Sequence, residues 1–120
     1  MIAAGILGGL ISSIFGLVDW LAIPPRTRAK NIGLWHGAGN IVVILLFSAG
    51  WLLRRPMPEN PSAPAFACSF LAVILALLTG RLGGELVDRL GVGVDPGAHL
   101  NAPSSLSGRP ARAHTVKPAA

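Results

Sequence analysis

The chain has 120 residues, of which 52% are hydrophobic and only 12% are charged, and its formal net charge is +5. A soluble domain needs about 25% charged residues to cover its surface, so this composition excludes an ordinary soluble domain and indicates a lipid bilayer. The basic residues lie at the ends of apolar runs and in the C-terminal part, where they flank a membrane, so nucleic acid is not the expected partner.

The first apolar segment covers residues 2–23, which is about the length needed to cross the hydrocarbon core. It lacks the basic start and the cleavage site of a secretory signal peptide, so we expect it to stay attached. Small residues recur along it at four-residue spacing, a pattern that lets a neighbouring helix approach closely. The predicted packing residues here are Gly5, Gly8, Gly9, Ser12 and Gly16.

A basic turn separates the first segment from the second. Pro24 and Pro25 end the first helix, because proline lacks an amide donor and restricts the residue before it. Arg26, Arg28 and Lys30 follow, which is a strong signal for the cytoplasmic side of a membrane. The sequence therefore predicts a hairpin of two antiparallel spanning helices.

The second segment covers residues 32–53, with a tryptophan near each end where indole rings favour the membrane interface. Arg54 and Arg55 end it, and a proline-rich loop follows. The third helix is predicted over residues 64–90, with Gly80 and Gly84 as further packing residues.

Residues 94–120 are rich in Pro, Ala, Ser and Gly without apolar periodicity, and they predict a disordered tail. The fold class is thus all-α: a transmembrane bundle of three spanning helices in residues 1–93, followed by that tail. His99 and His114 lie in the tail, where the sequence offers no further ligand at coordinating spacing, and Cys68 is the one cysteine. No disulfide framework and no metal site are therefore predicted.

The distribution of basic residues predicts the orientation. The first turn and the region after the apolar core of the third helix, which ends at Thr79, hold eight Lys or Arg, against two in the middle loop. With three crossings these eight lie on one side, so the turn and the C-terminus are predicted to be cytoplasmic, in a bacterial cytoplasmic membrane.

Two polar residues stand out inside the predicted spans. Asp19 lies four residues before the end of the first segment and His36 four residues after the start of the second, so both lie about 6 Å inside the helix ends. We expect that they could touch, with the carboxylate holding the imidazole and fixing its tautomer. Asn40, one turn after His36, could extend the network.

This polar membrane pair has two interpretations. In the functional one, Asp19 and His36 form a proton-linked or ligand-binding site, which includes ligation of a haem b by His36. Two-histidine ligation would need a second copy or another subunit, since His36 is the one histidine in the spans. In the structural one, Asp19 is neutralised by Arg26 or Arg28 and His36 locks two helices together. The chain has no recognisable catalytic motif, so no catalytic residue is assigned.

The stretch GLVDWLAIPPRTRAKNIGLWHGAGN, together with TGRLGGELVDRLGVGV from Thr79, resembles the DUF2231 family of uncharacterised small bacterial membrane proteins. The resemblance runs from about Gly5 to Val94. It implies a helical membrane protein, commonly with four helices, of which the first carries a histidine and proline motif. That helix has no counterpart here, and Leu90 and Asp88 stand where the family commonly has histidine and tyrosine.

Two functions follow as hypotheses. The first is a structural or interaction component that packs with itself or with a larger membrane complex through its glycine stripes. The second is a redox or proton-coupled component that binds haem or a quinone through Asp19 and His36.

Overall fold

A computed structural model describes residues 1–109 and 111 of the chain. Three α-helices account for most of it: α1 (Ile2–Ala22), α2 (Arg28–Arg54) and α3 (Ala63–Gly84). One turn of π-helix, Glu85–Arg89, continues α3, and a short 3-10 turn lies at Ser105–Ser107. All three helices, α3 together with its extension, are long and apolar enough to cross a membrane. The predicted all-helical membrane bundle is confirmed.

The helix ends follow from local chemistry. Ile23, just after α1, has an extended backbone (φ −68°, ψ 130°), as expected for a residue that precedes a proline. Helix α2 begins four residues earlier than residue 32, because the Thr27 hydroxyl caps it by accepting a hydrogen bond from the Lys30 amide at 3.1 Å. Pro64 lies in the first turn of α3, where its missing amide hydrogen is not needed.

Helices α2 and α3 form a close antiparallel pair. The buried residues of α3 and its extension recur every seven positions, which is the period of a left-handed coiled pair. They face a similar row on α2, and small residues in both rows let the two backbones approach. The row on α3 and its extension is Ala65, Ala72, Thr79 and Leu86, and the row on α2 includes Val43 and Gly50.

One arginine connects the two helices at the end of the pair that carries the proline-rich loop. The Arg54 guanidinium donates to the Gly50 carbonyl at 3.0 Å and to the Ser69 hydroxyl at 2.8 Å, and it lies 5.7 Å from the centre of the Phe66 ring. A Cβ at Gly50 would lie 3.4 Å from the Ala65 carbonyl oxygen, so the helices are in contact there. A long basic side chain therefore ties the end of α2 to the start of α3 across the proline-rich loop.

Helix α1 is attached differently. It contains no buried residue, and among the described elements it packs against α2 alone. The division into a membrane domain and a tail stays a prediction: residues 94–109 hold turns and the 3-10 turn, and residues 110 and 112–120, with His114, lie outside the described part.

Candidate functional site

A ring of hydrogen bonds joins α2 to α3 inside the bundle. The His36 Nδ1 lies 2.8 Å from the Thr79 carbonyl oxygen, and its Nε2 lies 3.1 Å from the Asn40 amide nitrogen. The Thr79 hydroxyl closes the ring by donating to the Asn40 side-chain oxygen at 3.0 Å, with the Ala76 carbonyl also in reach at 3.1 Å. We call His36, Asn40 and Thr79 the polar ring.

The partners fix the chemical state of the imidazole. A carbonyl oxygen can only accept, so Nδ1 carries the hydrogen, and Nε2 then accepts from the Asn40 amide. Both ring nitrogens of His36 are therefore engaged. Thr79, only 3% exposed, is buried but fully bonded, which removes the cost of placing its hydroxyl in hydrocarbon.

Two glycines make room for the polar ring. A Cβ at Gly39 would collide with the methyl group of Thr79, and a Cβ at Gly83 would lie 2.9 Å from Cε1 of His36. Any larger side chain at either position would push α3 away from α2 and lengthen the hydrogen bonds. The polar ring thus depends on backbone approach as much as on its own side chains.

Asp19 does not join the polar ring. Its side chain is exposed on α1, and within the described part of the chain it has no hydrogen bond and no ion pair. The structure thus brings His36 and Asn40 together and leaves out Asp19, because α1 does not contact α3 and the imidazole has its partners on α2 and α3. Arg28 does not neutralise Asp19 either: it bonds to Glu85 at 2.6 Å.

A groove of about 750 Å³ runs between α1 and α2. Its walls are mostly apolar or small, and His36 and Asn40 are among the few polar residues that border it. Of the packing residues predicted on α1, four line this groove: Gly5, Gly9, Ser12 and Gly16.

Most of the predicted packing glycines face open space in the structure. A Cβ at Gly5, Gly8, Gly16 or Gly80 would meet nothing within 4 Å. A Cβ at Gly9 would lie 3.3 Å from the Ile44 side chain, and a Cβ at Gly84 would meet only the nearby Asp88 carboxylate, at 3.9 Å. The open positions are thus available to a neighbour outside this chain, and their role in packing stays a prediction.

The basic turn is held by a reciprocal contact between α1 and α2. The Trp20 indole donates to the Lys30 carbonyl at 3.0 Å, while the Lys30 ammonium donates to the Trp20 carbonyl at 2.6 Å and lies 3.9 Å from the ring centre. The ammonium also sits favourably at the C-terminal end of α1. Gly33 is required beside it, since a Cβ there would lie 2.7 Å from Trp20.

The sequence missed Thr79 as a site residue, along with Gly39 and Gly83. The available signal for Thr79 was its place as the single polar residue between Ser69 and Arg81. The described residues contain no group of three or more His, Cys, Asp or Glu that could hold a metal ion, and His99 lies beyond the spanning helices.

Comparison with known proteins gives a family but no characterised relative. A family model described as "Predicted membrane protein (DUF2231)" matches residues 1–96, which is most of the chain. No curated protein and no solved structure that was compared with the chain matches it. The match covers all three helices, the basic turn and the polar ring, so the chain belongs to the DUF2231 family of predicted membrane proteins.

Proposed function

We propose that this protein is a structural component of a membrane assembly, in which α2 and α3 form the rigid unit and α1 associates with a second copy or a larger complex. The observation that carries the proposal is the state of α1: it has no buried residue, and Gly8 faces open space outside the groove. A neighbouring helix can pack against such a surface more closely than lipid chains can, so association gains dispersion contacts.

The position of Asp19 supports association. It follows Gly8 by eleven residues, so the two share one face of α1, and neither lines the groove. A carboxylate within a spanning helix is costly unless it is paired or wet, and Asp19 has no partner among the described residues. A neighbouring helix that brings a cation or a hydrogen-bond donor to this face would remove that cost.

The test is the size of the purified full chain in mild detergent, with Gly8→Leu as the disrupting variant. Gly8 is exposed and a Cβ there meets nothing within 4 Å, so the monomer should fold as before while the association face is blocked. Ala67→Leu is the matched control, because Ala67 is also exposed but lies on α3. We expect an oligomer that Gly8→Leu dissociates and Ala67→Leu preserves; a monomer in every case would contradict the proposal.

The same proposal includes an orientation. The turn and the C-terminus face the cytoplasm of a bacterial cell, supported by the eight basic residues on that side. The ion pair between Arg28 and Glu85 agrees with this, because it joins the turn to the end of α3. A C-terminal tag should be accessible in inside-out vesicles, and protection there would contradict the orientation.

The second candidate is a redox or proton-coupled component that uses Asp19 and His36. It is favoured by the position of His36 beside the groove. Haem ligation fits the residues poorly, because Nε2 would have to leave the Asn40 amide. A purified protein with a Soret band that His36→Ala removes would support haem, and a colourless one would exclude it.

A further inference from the structure

Two residues on opposite walls of the groove, Asn40 and Ser12, each have a donor hydrogen without a partner among the described residues. Asn40 has two amide hydrogens, of which the polar ring uses one, for His36. Ser12, across the groove on α1, has no hydrogen bond to any described residue, whereas its neighbour Ser13 donates to the Leu10 carbonyl at 2.7 Å. Both Asn40 and Ser12 border the groove.

The depth of these donors restricts what can satisfy them. Ser12 lies eleven residues before the end of the first apolar segment at Ile23, and Asn40 lies eight residues after the start of the second at Ile32. At 1.5 Å per residue, they lie about 16 and 12 Å along their helices from the ends of these segments, in the central part of a hydrocarbon core about 30 Å thick. Water and the ester and phosphate groups of lipids lie at the interface and do not reach this depth.

The groove has the size and character of a small-molecule site. Its volume of about 750 Å³ lies within the usual range for ligand pockets, and its lining combines a mostly apolar surface with a few polar groups. Glycines on both helices, such as Gly16 and Gly37, keep it open.

We propose that the groove between α1 and α2 binds a neutral isoprenoid quinone or a closely similar lipid, whose carbonyl oxygens accept hydrogen bonds from Asn40 and Ser12 at the middle of the membrane. The quinone class combines an apolar chain that fits the walls with acceptor oxygens that can lie at this depth. The head group of a quinone is uncharged, which agrees with the absence of Lys, Arg, Asp and Glu from the described residues that line the groove. The polar ring holds Asn40 in place for the ligand.

This inference develops the ligand-binding candidate and does not depend on the association proposal. It differs from that candidate in its residues, because it uses neither Asp19 nor a free nitrogen of His36. A helix from a second copy could also offer an acceptor at this depth. Gly37→Leu separates the two cases, because Gly37 lines the groove on α2, whereas the association face includes Gly8, which does not.

The test uses the full chain in detergent with Trp35 and Trp51 changed to Phe, so that the remaining indole is Trp20, which lines the groove. Decylubiquinone is the probe, and quenching of the indole fluorescence is the readout. We expect saturable quenching, with the dissociation constant raised at least tenfold by Gly37→Leu. Ser12→Ala should raise it about fivefold, as expected for the loss of one neutral hydrogen bond.

The controls separate a specific site from partition into the micelle. Gly80→Leu adds the same side chain at an open position outside the groove and should bind like the parent protein. Decylbenzene has the apolar chain without carbonyls and should not compete. Quenching that is linear in quinone, that Gly37→Leu leaves unchanged, or that decylbenzene abolishes would overturn the inference. Dissociation of an oligomer by Gly37→Leu, without loss of binding, would assign the groove to a helix instead.

Discussion

The two helix interfaces of this protein differ in how they use glycine. Between α2 and α3, glycines at 39, 50 and 83 bring the helices together and allow the polar ring to close. Between α1 and α2, Gly9 and Gly33 also make close contacts, but glycines at 5, 16 and 37 face open space and leave a groove of about 750 Å³. Glycine therefore allows close contact between α2 and α3 but mostly leaves space between α1 and α2. The difference depends on whether a side chain or backbone atom of the other helix lies opposite the glycine.

The comparison is tested most strongly by adding a methyl group to each kind of glycine. Gly39→Ala places a Cβ against Thr79, and we expect it to destabilise the protein by about 1 to 3 kcal/mol, typical of overpacking. Gly37→Ala, two residues away, meets nothing and should be neutral or stabilising by up to about 1 kcal/mol through helix propensity. Reversible unfolding in mixed micelles, followed by circular dichroism, measures both; equal effects would contradict the distinction between the interfaces.

The polar ring is tested by a double-mutant cycle between α2 and α3. Asn40→Leu and Thr79→Val each break the bond between these side chains, and we expect a coupling free energy of about 0.6 kcal/mol, the average for such bonds in membranes. Asn40→Leu alone should cost more than Thr79→Val, because it also leaves Nε2 of His36 without a donor. Additive effects of the two substitutions would show that the ring does not connect the helices.

The attachment of α1 is tested at its contact with the turn. Trp20→Phe keeps an aromatic ring near the Lys30 ammonium but removes the hydrogen bond to the Lys30 carbonyl. We expect a loss of about 1 kcal/mol, the usual value for one hydrogen bond, and easier separation of α1 from α2. Cysteine crosslinking between α1 and α2 reports the separation, and an unchanged crosslinking yield would show that the indole bond does not hold α1.

The smallest effect is expected at the ion pair between Arg28 and Glu85. Its distance is only 2.6 Å, but the Arg28 side chain is 63% exposed, and solvent and salt screen such pairs. Arg28→Gln should leave the unfolding midpoint unchanged within error at 0.15 M salt. A clear fall in that midpoint would show that the pair, and not the helix packing, fixes the end of α3.

The sequence predicted the number of helices, their approximate limits and the basic turn. It also predicted that Asn40 would extend a network from His36, since residues four apart share a helix face. It did not predict Thr79, because nothing in a single sequence sets the register between α2 and α3. It matched Asp19 to His36 by depth, but depth leaves open which way each residue points around its helix axis.

The sequence alone determined that this protein lies in a bilayer and which segments span it. Long apolar runs that end at prolines and arginines form helices there, because lipid offers no hydrogen bonds to the backbone. What the tertiary structure decided is which polar groups meet. The small residues in the seven-residue rows of α2 and α3 let these helices approach closely, and that approach gives His36 its partner on α3. Helix α1 has no matching row opposite it, so its small residues and Asp19 remain open to a partner outside the chain.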